Sequence, residues 1–281
     1  MDIGVQIFGC LAECKKDPDE FFRRVAEAGY QQIETCILFD NPVKMAEAAK
    51  AVGNQFMESL AENLWKPEEL PDYIRRMKLH GLQLSSVHVF SENPVQAADR
   101  MIDTALKNHI TTYVINCSKQ SIATEYKAFA EECNQLAGIL KQQNIELWIH
   151  NSVEEIKAIV DFNGRRISAL TAVLELCKET GVGVQADLGW VLYAGIDPVE
   201  YLQEAKEFIK SIHFKDIKKD YATRGDKDIF ACLGDGALNT VEILKQIAQF
   251  PPEVTVLIDQ DASDGDIMED LAKSTKLLRG E

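Results

Sequence analysis

The chain has 281 residues, is 46% hydrophobic and 27% charged, and carries a net charge of −15. This length suits one eight-fold α/β barrel or two smaller domains, and the acidic balance argues against a nucleic-acid or anionic-membrane partner, either of which needs a basic face. The 7 cysteines are scattered and form no C-x-x-C pair, which fits a reducing compartment better than a disulfide framework.

The N-terminus, MDIGVQIFGC, opens directly into a strand-like run. It lacks a basic region followed by an apolar one, so no signal peptide is expected. No apolar run is long enough to span a bilayer, and a cytoplasmic location is expected. Strand-like runs then recur at about 3–8, 31–35, 82–89, 111–116, 145–150, 182–187, 209–214 and 253–259. Segments with helical spacing lie between them. Asp17-Pro18 opens the first helix, and Phe22, Val25 and Ala26 give it an apolar face. Gly29, Gly81, Asn144 and Gly181 each end a helix just before a strand, where a residue tolerant of left-handed geometry is favoured. A last helix is expected at about 265–279.

Strand-then-helix alternation of this kind predicts a parallel sheet. Eight such units predict a single-domain (β/α)₈ TIM barrel over residues 1–281, of class α/β. The rival, an open doubly wound sheet, would carry a glycine-rich phosphate-binding turn after its first strand. Here that position reads FGCLAECKKDP. Two stretches are unusually long, 54–70 and 216–238; the second follows strand seven, on the face where barrel active sites are built.

Polar residues at the C-terminal strand ends of a barrel converge on one site. Strand five ends in His150-Asn151, with Glu154 and Glu155 just beyond. Strand six ends in Asp187. Strand seven carries His213, followed by Lys215 and Asp216, and strand eight ends in Asp259, followed by Gln260 and Asp261. Any one of these has an ordinary structural explanation, a helix N-cap for an Asp or a hydrogen-bonded core position for a His. Four matched strand ends together point to a site for a divalent metal ion, Mn, Co, Zn or Mg, which would neutralise the carboxylates.

Several segments in order resemble the xylose-isomerase-like TIM barrel family of sugar phosphate isomerase/epimerase-like proteins. They are GVQIF, KKDPDEFFRRVAEAGYQQIE (15–34), HGLQLSSVHV (80–89), IELWIHNSVEEI (145–156), QADLGWVLYAGIDPVEYL (185–202), SIHFKD (211–216), LGDGALN (233–239) and VLIDQD (256–261). The resemblance implies metal ligands at Glu155, Asp187, His213 and Asp259. It leaves His150 as the alternative strand-five ligand, with Glu155 preferred. The chain departs from the pattern at Ser152, where many relatives have His, and at Asp259, where Glu is usual.

The chemistry implied is proton abstraction beside a carbonyl of a keto sugar, polyol or related carbohydrate, through a metal-stabilised enediolate, giving isomerisation or epimerisation. A dehydratase, a keto-glycoside lyase or a non-catalytic sugar-binding barrel are the alternatives. Glu155, His150 and Lys215 are the candidate catalytic groups. Glu34, His88, Asn151, Trp190 and Arg224 are candidate substrate contacts. A homodimer or higher homo-oligomer is expected.

Overall fold

The computed structural model describes residues 3–280 except 118, 120 and 226. Eight parallel strands close into a barrel: β1 (Ile3–Gln6), β2 (Gln32–Leu38), β3 (Gln83–Phe90), β4 (Thr112–Ile115), β5 (Glu146–His150), β6 (Gly183–Asp187), β7 (Ile209–Phe214) and β8 (Thr255–Asp259). Each pairs with its sequence neighbours, and β8 closes on β1 with Gln6 opposite Asp259. All eight sequence-predicted strands are present. β2 runs on past residue 35 to Leu38, so Glu34 lies inside the barrel rather than at a strand end.

The helices form for the reasons visible in the sequence. Asp17 caps Pro18–Glu27 by accepting from the Glu20 amide at 3.1 Å. The four residues named above as helix stops all adopt positive φ, at 98° (Gly29), 74° (Gly81), 58° (Asn144) and 81° (Gly181), although the helix Ala169–Leu176 ends earlier and Gly181 closes the turn after it. The stretch 54–70 contains the helix Gln55–Asn63, after which Trp65 bridges to Ile37 on β2. The last helix is Ile267–Arg279. Two short antiparallel hairpins were not expected: Ile159–Phe162 with Arg165–Ser168, and Asp216–Ile217 with Phe230–Ala231. The second organises the long connection after β7.

Strand side chains alternate in direction. Val5, Ile33, Val87, Tyr113, Val184, Ile212 and Ile258 belong to the buried core. Their strand neighbours Gln6, Glu34, Ser86, His88, Gln185, Ser211 and His213 are equally buried, yet polar, and bond to one another across the barrel. The interior near the C-terminal strand ends is therefore a polar network rather than an aliphatic plug.

Asp216 shapes the loop that follows. Its carboxylate accepts from the amides of Ile217 at 2.9 Å and of Gly234, Gly236 and Leu238 at 3.0 Å each. A Cβ on Gly236 would lie 2.1 Å from Asp216 Oδ1, so only glycine allows this approach. The LGDGALN segment is thereby folded back against the end of β7.

Candidate active site

At the centre of the network sits Glu34, fully buried. Its Oε1 accepts from Gln6 Nε2 at 2.8 Å and lies 2.6 Å from His213 Nε2 and 3.1 Å from His88 Nε2. Its Oε2 accepts from Gln185 Nε2 at 2.7 Å and from Ser86 Oγ. Burial alone would raise the Glu34 carboxyl pKa, but the His88 and His213 imidazoles outweigh it and hold the group well below the usual carboxylate range.

Directly above lie His150, Asp187, His213 and Asp259, all buried, with ligand-type atoms within 4.8 Å of one another. Register explains the grouping: Asp187 pairs with His213 across β6 and β7, and Leu257, two residues before Asp259, pairs with His213 across β7 and β8. Asp187 Oδ1 caps the helix Leu188–Tyr193 through the Trp190 amide at 3.0 Å, leaving Oδ2 to face the cluster. His150 Nε2 lies 3.4 Å from that oxygen, and His213 Nδ1 lies 3.0 Å from Asp259 Oδ2. Two buried atoms here, His150 Nδ1 and Asp259 Oδ1, have no hydrogen-bond partner among the described residues. Two imidazoles and two carboxylates whose ligand-type atoms converge in a buried site, two of their atoms unpartnered, suit a divalent transition-metal ion.

The charges around the cluster are strongly coupled. Burial pushes His150 down to about 4, against the opposing pull of Asp187, so its imidazole is neutral at pH 7. Burial also opposes charge on His213, but Glu34 and Asp259 override it and push the imidazole up to about 10. Burial pushes Asp261 up to about 6 despite Lys215 nearby. Burial raises Asp187 and Asp259 as well, but the Lys215 ammonium more than reverses this and holds both below the usual range.

The mouth above the cluster is a cavity of about 150 Å³. Phe8, Phe90 and Trp190 supply flat apolar walls, and His88, His150, His213, Lys215, Asp259 and Asp261 supply polar groups. Phe8 and Phe90 are stacked at 6.2 Å between centroids.

The sequence-predicted residues fall into three groups. His150, Asp187, His213 and Asp259 come together, with Glu34, His88, Trp190 and Lys215 in contact with them or lining the mouth. Asn151 is fully buried and turned away from the cavity; its amide accepts from Asp187 N at 2.9 Å and donates to Asp187 O at 3.2 Å, tying the ends of β5 and β6. Glu155 and Arg224 lie elsewhere. Glu155 Oε2 accepts from the Ser152 amide at 3.1 Å and from its hydroxyl at 2.5 Å, closing a capping box on the helix Val153–Lys157. The preferred strand-five ligand of the sequence is thus engaged in a helix cap, and His150 occupies the cluster. Arg224 is held at the surface by Asp220 and Asp228.

Gln6, Ser86, Gln185, Phe8 and Phe90 were not singled out from sequence. For the four on strands the signal is side-chain alternation, and which of them meet Glu34 and His88 becomes visible only once the strand registers are known; Phe8 lies in the 3-10 turn after β1.

A model of the family described as "Xylose isomerase-like TIM barrel" matches residues 22–278. An inosose dehydratase of Clostridium perfringens is 23% identical over 168 residues, and the chain spans about half the length of this curated relative, 54%. A sugar phosphate isomerase/epimerase from Parabacteroides distasonis superposes with a TM-score of 0.71 at 19% identity, covering 99% of this chain and 93% of that one. A probable 3-DHS dehydratase from Bacillus anthracis gives 0.66 at 14% identity, covering 99% of each chain.

Proposed function

Because this chain belongs to the xylose isomerase-like TIM barrel family, we propose that it is a divalent-metal-dependent carbohydrate enzyme of the isomerase/epimerase type, moving a proton beside the carbonyl of a keto sugar or polyol-derived ketone. The observation that carries this reading is the buried cluster of His150, Asp187, His213 and Asp259, with its unpartnered donor atoms, at the floor of the mouth.

These four residues would hold the cation. When bound there, a divalent ion supplies Lewis-acid polarisation of a carbonyl or hydroxyl oxygen. Glu34 fixes His213 by its contact with Nε2, so that Nδ1 faces the cluster. Asn151 fixes the backbone of Asp187. Phe8, Phe90 and Trp190 take the apolar faces of a sugar-sized ligand and exclude water. Lys215 and Asp261, in contact at 2.9 Å, are ionisable groups that line the cavity outside the four donors. One of this pair carries the proton between neighbouring carbons. Among the described residues the cavity lining contains no glycine-rich turn that could cradle a phosphate, which favours an unphosphorylated substrate.

A dehydratase is the second reading, favoured by the inosose dehydratases among the relatives. It begins with the same proton removal and differs in losing a neighbouring hydroxyl as water. One experiment addresses both. The Mn²⁺-loaded protein is incubated in D₂O with ketoses, inososes and 3-keto-glycosides, and proton NMR follows the hydrogen beside the carbonyl. Exchange with return to sugar supports isomerisation or epimerisation; exchange with loss of water, seen by mass spectrometry, supports dehydration. Absence of exchange in all substrates, or an unchanged rate in Asp187→Asn, overturns the proposal.

A further inference from the structure

Lys215 is an ammonium built into a nest of carboxylates. Only 2% of the residue is exposed. Its Nζ lies 2.8 Å from Asp259 Oδ2, 2.9 Å from Asp261 Oδ2 and 3.1 Å from Asp187 Oδ2. The rings of Trp190 and Phe230 stand on its other side, with centroids at 5.3 and 5.5 Å. The stem runs flush against the helix Leu188–Tyr193, where a Cβ on Gly189 would fall 2.9 Å from Lys215 Cγ and 2.9 Å from its carbonyl oxygen. The sequence thus leaves a glycine where this side chain must pass.

Two of its three carboxylate partners, Asp187 and Asp259, are members of the four-residue cluster. The ammonium therefore sits where the cluster's negative charge is concentrated, but it does not satisfy the cluster. His150 Nδ1 and Asp259 Oδ1 remain buried without hydrogen-bond partners among the described residues. An ammonium has only protons to offer, and the neutral imidazole of His150 keeps a lone pair that calls for an acceptor of electron pairs. The cluster is matched to a metal ion, while its charge is balanced by a lysine.

We propose that Lys215 competes with the divalent cation for Asp187 and Asp259, and that loading the site shifts its ammonium toward Asp261 and the faces of Trp190 and Phe230. This rests on the metal reading given above. Two like charges cannot share the same pair of carboxylate oxygens without strong repulsion in a buried site. The retreat is available because Asp261 lies beyond the strand end, is 17% exposed against 4% for Asp259, and already touches Nζ. The four-carbon stem supplies the flexibility. Lys215 then acts as a positioning group that sets how tightly the site holds metal and as a cation presented to the cavity once metal is in place.

Equilibrium dialysis with Mn²⁺ and with Zn²⁺ tests this on the parent protein, Lys215→Met and Lys215→Arg. Removing the competing charge should tighten metal binding about tenfold or more in Lys215→Met, and keeping it should leave Lys215→Arg within about threefold of the parent. Loading by Lys215→Met alone also supports the proposal. A parent that loads metal while Lys215→Met binds it no more tightly overturns the competition and leaves the metal reading standing. Failure of every protein to load overturns both. Should Lys215→Met not fold, a crystal structure of the Mn²⁺-loaded parent decides: Nζ away from Asp187 and Asp259 and on Asp261 supports the shift, and Nζ still bridging Asp187 and Asp259 overturns it.

Discussion

The bond between His213 Nε2 and Glu34 Oε1, 2.6 Å across the barrel interior, decides which nitrogen of His213 faces the acidic cluster. Glu34 is the hub of that interior, and Gln6, Ser86 and Gln185 each point a donor at it. Glu34→Gln keeps the shape but replaces an acceptor oxygen with an amide facing donors. Metal affinity should fall about 10- to 100-fold, as expected when the partner of a ligating imidazole is lost. Stability should fall by roughly 1–3 kcal/mol through the unsatisfied buried groups. Isothermal titration with Mn²⁺ and urea unfolding measure the two effects; unchanged metal affinity would show that Glu34 does not act through His213.

Stability without metal should peak near neutral pH, because the two imidazoles of the cluster are shifted in opposite directions. His213 is raised to about 10 in the fold from a usual value of 6.5. Its charged form therefore stabilises the fold fully below about 6.5, and this contribution is lost as pH rises toward 10. His150 is lowered to about 4. The unfolded chain binds its proton more readily, so stability falls as pH drops from about 6.5 toward 4. Thermal unfolding in EDTA across this range reads both limbs. An alkaline limb that persists unchanged in His213→Gln would be inconsistent with this assignment.

His150 and Glu155 can be separated by substitution. His150→Gln should weaken Mn²⁺ or Zn²⁺ binding by about tenfold or more, since it removes an imidazole from the cluster. Glu155→Gln should leave metal affinity within about twofold and cost about 1 kcal/mol through the helix cap it shares with Ser152. The reverse pattern in dialysis would restore Glu155 as the ligand.

Asp216 offers a test of the loop clamp. Its carboxylate serves four backbone amides at once. Asp216→Ala leaves these amides without an acceptor and should cost roughly 2–4 kcal/mol, with faster proteolysis within 218–238. A loss below about 0.5 kcal/mol in urea unfolding would mean that water or rearranged backbone replaces the clamp readily.

The barrel was legible because each helix stop and each β-rich run carries its own local signal, and parallel order follows from their alternation. The positions of Asp187, His213 and Asp259 could be read because each lies at or near a strand's C-terminal end. Glu34 is legible as a candidate substrate contact in the run 31–35, but its depth depends on how far β2 continues, to Leu38, which periodicity leaves open. Glu155 shows the opposite problem. Ser152 was read as a missing imidazole, although Ser-x-x-Glu before a short helix is also a capping box, and that local signal describes Glu155 in the structure. The interior partners Gln6 and Gln185 were missed because nothing in one strand tells which residue of a distant strand it meets.

The paired bonds of Asn151 to the backbone of Asp187 have a consequence for how such a site can diversify. They fasten one strand end to the next through main-chain atoms, independently of what the donor side chains are. A carboxylate at position 150, or a longer acid at position 259, would start from the same anchored Cα positions. Exchange of donor type thus becomes a matter of side-chain length and chemistry on an unmoving frame. Successive single substitutions can then explore different ions and substrates without passing through a disassembled barrel.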